Sequence, residues 1–183
     1  MAAKRPDMGP RPARRGATGT GTGDKSAGGK RMGAATKGVA GHRARSMARR
    51  LALQALYQIQ LNPRSLSDTQ KQFAADPESD RADLGYFREL MAAIAPQRAE
   101  LDVRLALLCE IPPAELDPIE HAVLWLGLYE LTSRAELPYR VALAEAVQLA
   151  KQFGATDGHK FVNAVLDRAA RELRPNEYGQ PAA

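Results

Sequence analysis

The sequence predicts an all-α protein, a bundle of about six or seven helices. Three observations carry this. Apolar residues recur at i, i+3 and i+4 along most of the chain after residue 47. Residues 117–134, DPIEHAVLWLGLYELTSR, are apolar almost all the way round, as befits a helix buried on every side. No run alternates Val, Ile or Thr with polar residues between hairpin turn signals, so no strand is expected.

The buried helix organises the rest. Asp117 suits its N-cap and Pro118 its first position, where no N–H donor is needed. Glu120 stands three residues past the cap, near the positive end of the helix dipole. Upstream, residues 1–42 are rich in Gly, Ala, Thr, Arg and Lys, with almost no large apolar side chains. Such a segment buries too little surface to offset its ordering entropy and reads as a disordered basic extension. Its GTGTGDKS run at 19–26 approaches a phosphate-binding loop, but Asp24 replaces the glycine before the lysine and no strand precedes it.

A first helix is predicted at 43–61. Ala48, Ala52, Ala55, Leu56 and Ile59 share one face, while Arg50, Gln54, Tyr57 and Leu61 share the other. That second face reads either as a binding surface or as a tyrosine covered by a neighbouring helix beside a solvated arginine. Asn62-Pro63 ends the helix. A short helix follows at 65–75, broken by Asp76-Pro77. The stripe over 80–110 continues through Leu84, Phe87, Leu90, Met91, Ile94, Leu101 and Leu105, with Pro96 expected to kink or split it. After the buried helix, Pro138 opens another, closed by Phe153-Gly154. The last begins at Thr156 or Asp157, buries Val162, Val165, Leu166 and Ala169, and stops at Pro175. Phe161 and Asp157 lie on its flank, where Phe161 is either left at the surface or fills a gap between helices. The domain is thus expected over 43–176, with 177–183 a short polar tail.

Charge is unevenly split. Residues 1–50 hold 13 Lys/Arg against 2 Asp/Glu, a net of +11, and residues 51–183 hold 13 against 19, a net of −6, which together give the net +5. The basic pI is therefore a property of the N-terminal arm, the pattern of a nucleic-acid-binding arm or of a solubility tail on an acidic body. The single cysteine, Cys109, allows no intrachain disulfide and fits a reducing cytoplasm. No run reaches the ~20 apolar residues that a membrane helix needs. His42, His121 and His159 have no zinc-ligand spacing, and no serine or cysteine completes a nucleophilic set with Asp157 and His159. The residues point away from an enzyme and call for no cofactor or metal.

Four blocks carry a resemblance. They are RRLALQALY at 49–57, LGYFRELMAAI at 84–94, IEHAVLWLGLYEL at 119–131 and, most specific, FGATDGHKFVNAVLD at 153–167. Together they resemble the bacterial NusB family of transcription antitermination factors over about residues 44–176. The resemblance implies two packed helical subdomains and a non-enzymatic factor. It implies binding to the boxA-type single-stranded RNA of nascent ribosomal transcripts. Its partners would be NusE, a small-subunit ribosomal protein, and the RNA polymerase antitermination complex. A homodimer is expected where NusE is absent.

Carried onto this chain, the implied RNA contacts fall on Arg45 and Arg49, with Arg43 and Arg50 adding charge beside them. Further contacts fall on Tyr57 and on Asp157, Lys160 and Phe161 of the last helix. Tyr57 and Glu120 would meet NusE. Ser46 and Met47 interrupt the denser arginine run of some family members. Arginines would supply salt-dependent phosphate contacts, and the aromatics would stack unpaired bases. Two other readings compete: a helical protein–protein adaptor or homodimer with a generic basic tail, and an RNA-modifying enzyme, for which the chain has no Gly-rich βαβ segment.

Overall fold

A computed structural model describes residues 29–63 and 65–178, with side-chain placement from Val39 onward. Among the described residues there are seven α-helices and no strand. They are α1 (Gly29–Leu61), α2 (Leu66–Ala74), α3 (Leu84–Ile94), α4 (Arg98–Leu108), α5 (Pro118–Ser133), α6 (Tyr139–Phe153) and α7 (Gly158–Leu173). Short 3₁₀ turns at Pro77–Arg81 and Pro113–Glu115 precede α3 and α5. The P-loop-like run at 19–26 and residues 179–183 lie outside the described residues. So does most of the segment expected to be disordered, although α1 begins at Gly29 rather than near 43.

Local chemistry sets the helix ends. The Ser65 hydroxyl accepts the Asp68 N–H at 3.1 Å, the Asp83 carboxylate accepts that of Tyr86 at 3.0 Å, and Asp117 accepts that of Ile119 at 2.8 Å. Pro96 splits the long stripe: α3 stops at Ile94 and α4 restarts at Arg98. No cap precedes Tyr139 in sequence, and its N–H is instead taken by the Glu177 carboxylate at 3.1 Å. Tyr178 donates to Asp167 and accepts from Arg171, each at 2.8 Å. Glu177 and Tyr178, expected to start the polar tail, are therefore tied to the body. Arg174 closes the C-terminal end of α5, donating to the carbonyls of Leu131 at 2.8 Å and Arg134 at 2.7 Å.

Helix α5 is the centre. It touches α1, α3, α4, α6 and α7, and its residues from Glu120 to Leu128 are all buried. One layer joins α1, α2 and α3 and the other α4, α6 and α7 through α5, with α1 against α5 linking them. Gly127 permits the close crossing of α5 and α7, because a β-carbon there would stand 2.5 Å from Leu166 Cδ1. At the other side, Asp102 accepts the Trp125 indole N–H at 2.7 Å and lies 2.6 Å from His121 Nε2, docking α4 on α5. No described helix is long and apolar enough to cross a membrane.

Candidate RNA interface

The site assembles around the N-terminus of α5. From one side comes the last turn of α1, whose Gln60 amide donates to the Pro118 carbonyl at 2.9 Å. From the other comes the α6–α7 turn, whose Ala155 N–H donates to Glu120 Oε1 at 2.8 Å. Between them, the Arg50 guanidinium lies over the Phe153 ring, 5.3 Å from its centroid. The contact joins the outward face of α1 to the end of α6.

Along α1 the seven-residue spacing puts Arg43, Arg50 and Tyr57 on one side, drifting only ~20° per step. Arg43 is exposed, while Arg50 and Tyr57 are half-buried. Arg50 also pairs with Glu78 at 3.3 Å, and its Nε is buried without a hydrogen-bond partner. Arg45 points elsewhere, toward α3: its Nε is 4.0 Å from Asp83 Oδ2, and its guanidinium is 5.6 Å from the Tyr86 ring centroid. It borders a groove of about 560 Å³ between α1 and the start of α6.

On the other wall, Asp157 holds the left-handed conformation, φ 68°, a region that Asp tolerates better than most residues. Its carboxylate is 2.8 Å from Lys160 Nζ, and both side chains are exposed. Phe161 is half-buried and lines a cleft of about 220 Å³ with Leu108, Cys109 and Ile111. It both packs against the end of α4 and opens to the surface, so the two readings of its flank position each hold in part.

Two site residues are placed otherwise than expected. Arg49 is 2% exposed. Its Nε lies 2.7 Å from Glu130 Oε1 and its Nη1 3.4 Å from Glu145 Oε2, so its guanidinium is engaged in the interior instead of facing phosphate. Position explains this: Arg49 precedes Ala52 by three residues and Leu56 by seven, which puts it on the buried stripe. Glu120 is 4% exposed, and its carboxyl turns inward to the α6–α7 turn, not outward to a protein partner.

The sequence reading overlooked a polar network behind the site, buried at Arg49, Tyr86 and Glu130 and reaching the surface at its edges. Tyr86 donates its hydroxyl to Glu130 Oε1, and Arg134 pairs with Glu89. Ser46 Oγ donates to Glu145 Oε1 at 3.0 Å, and His42 Nε2 lies 3.1 Å from the same oxygen. Burial is the largest influence and works against the Arg49 charge, but Glu130, Tyr86 and Glu145 together outweigh it and hold the guanidinium pKa above its ordinary value. Burial, with Glu130 next to it, pushes the Tyr86 phenol well up, so it stays a donor. The available signal was a glutamate in the otherwise apolar turn at 128–131 and an arginine on an apolar stripe.

What the arrangement offers is cations, half-buried aromatics and an exposed turn, the components of single-strand recognition. Among the described residues no group of three or more His, Cys, Asp or Glu is placed to hold a metal.

The chain is similar to known proteins. A transcription antitermination protein NusB of Methylobacillus flagellatus is 47% identical over 136 residues, covering 74% of this chain and 88% of that protein. Its namesake in Escherichia coli is 47% identical over 134 residues, covering 73% and 96%. The solved T. maritima NusB superposes with a TM-score of 0.64 at 23% identity, over 74% of this chain and 96% of that one, a likeness of fold. The NusB family model matches residues 46–171, from the first buried turn of α1 to the end of α7, and this chain belongs to the NusB family.

Proposed function

We propose that the protein is a cytoplasmic transcription antitermination factor. It binds boxA-type single-stranded RNA in nascent ribosomal transcripts, together with NusE, and supports processive transcription within the RNA polymerase complex. The observation that carries this reading is the Arg50–Phe153 contact. It sets the Arg43–Arg50–Tyr57 side of α1 against the end of α6, which leads into the turn that bears Asp157 and then to Lys160 and Phe161 on α7. Arg43, Arg45, Arg50 and Lys160 supply phosphate contacts, which give affinity without reading sequence. Tyr57 and Phe161 stack bases, and base edges are read beside them. Asp157 opposes phosphate and restrains affinity. Tyr57, on the last turns of α1, also borders the surface that meets NusE. Arg49 serves this face from within, by holding α1 on α5 and α6.

The test is a titration of labelled boxA-type RNA and a scrambled control at several salt concentrations, with and without NusE. Preference for boxA, increased by NusE, supports the reading. Equal binding of both RNAs that disappears with salt replaces it with a generic polycationic arm on a protein-binding body.

A further inference from the structure

Glu120 occupies an unusual place. It sits on the first turn of the most buried helix, 4% exposed, with its carboxyl enclosed by the α6–α7 turn. Oε1 accepts the Ala155 N–H at 2.8 Å. A β-carbon on Gly158 would stand 2.0 Å from that oxygen, and one on Gly154 would stand 2.7 Å from it. Both glycines are thus needed for the carboxyl to fit, and the turn they bracket carries Asp157, with Lys160 and Phe161 on the helix that follows.

We propose that Glu120 is a positioning residue for the RNA face: its buried carboxyl, seated among Gly154, Ala155 and Gly158, fixes the turn from which Asp157, Lys160 and Phe161 are presented. The inference rests on the proposed RNA-binding function and assigns Glu120 a role distinct from touching a protein partner.

The second oxygen sharpens the assignment. Oε2 is buried and meets no donor. Asp117, the N-cap of the same helix, stands beside Glu120, and two carboxyls hydrogen-bond only with a proton between them. A proton shared between the two carboxyls would leave Oε1 free to accept from Ala155. Burial, then the Asp117 contact, raise the Glu120 pKa, and the same contact lowers that of Asp117. A glutamine at 120 keeps an oxygen acceptor for Ala155 and offers a neutral NH₂ donor beside the Asp117 carboxylate. A leucine reproduces neither bond.

The experiment compares wild type, E120Q and E120L in the full chain. It reads boxA-type RNA affinity at fixed salt and amide hydrogen exchange at Ala155 and Gly158. E120Q is expected to keep wild-type affinity and slow exchange. E120L should lose affinity about tenfold, the size of one lost stacking contact, with fast exchange at Ala155. Wild-type affinity in E120L overturns the proposal. So does a fall in E120Q equal to that in E120L while Ala155 exchange stays slow, because the charge itself would then be the contact. If E120L does not fold, G158A carries the test from the opposite wall: its β-carbon displaces the carboxyl, and unchanged RNA affinity would overturn the assignment. A wild-type protein that does not prefer boxA over the scrambled RNA defeats the functional reading alone, and the exchange rates still report whether Glu120 holds the turn.

Discussion

Arg49 and Glu130 stand 81 residues apart in the chain, yet Arg49 Nε lies 2.7 Å from Glu130 Oε1 with both side chains almost wholly buried. The pair fastens α1 to α5, and through Glu145 to α6. Removing one partner strands a charge in the core. R49M should therefore destabilise the protein by about 3–5 kcal/mol, and the double variant R49M/E130L should regain most of the loss. Urea unfolding decides it: a change in R49M near that of an exposed arginine would show the pair to be dispensable.

The α5–α7 crossing gives a second expectation. Gly127→Ala places a methyl group 2.5 Å from Leu166 Cδ1 in a packed interior, which should cost about 1–3 kcal/mol. Leu166→Val in the same chain removes a carbon from that spot and should return part of the loss. Thermal unfolding of the three proteins checks the order.

For RNA, the aromatic and cationic contacts separate by their salt dependence. F161A should weaken boxA-type RNA by ~1–3 kcal/mol with an unchanged salt slope. R50Q should reduce the slope of log affinity against log salt by ~0.7 and weaken scrambled RNA equally. Asp157→Asn should tighten both RNAs. A salt slope that moves with F161A, or stays fixed with R50Q, reverses the roles assigned to these side chains.

Stability should also depend on the Glu120 proton. Its folded-state pKa is raised above the ordinary 4.5, first by burial and then by Asp117. The folded protein therefore binds the proton more tightly than the unfolded chain. The contribution of Glu120 is complete below the ordinary glutamate range and falls as pH rises through its folded value. E120Q cannot lose this proton, so its stability relative to wild type should improve from acid to neutral pH. Denaturant midpoints of the two proteins across that range measure the difference, and parallel curves would refute it.

These four cases also divide what the sequence made legible from what it did not. Helix α5 was readable because its apolar residues encircle it and Asp117-Pro118 marks its start. The split between α3 and α4 was readable because Pro96 cannot continue the ladder. The Arg50–Tyr57 face of α1 followed from helical spacing, which left open whether it binds or is covered. Spacing puts Arg49 on the buried stripe, but periodicity gives a face and not the partner that neutralises a charge on it, and Glu130 comes from another helix. Glu120 looked like an ordinary first-turn acid for the same reason. Its enclosure depends on a turn 35 residues away that folds back over it.

Arg174 has a consequence for the order in which the chain completes itself. Its guanidinium binds the carbonyls that end α5, at Leu131 and Arg134, and so joins positions 43 and 40 residues upstream. During synthesis the α5–α6 connection emerges long before the side chain that locks it. Until then the Arg134 carbonyl has only the Leu137 N–H of the following turn and the Leu131 carbonyl lacks its guanidinium donor, so the end of α5 is less firmly held. A released chain ending before Arg174 would keep α1 to α7 but leave the central helix unlatched, and it should be cut by protease between α5 and α6 at a point the full-length protein protects.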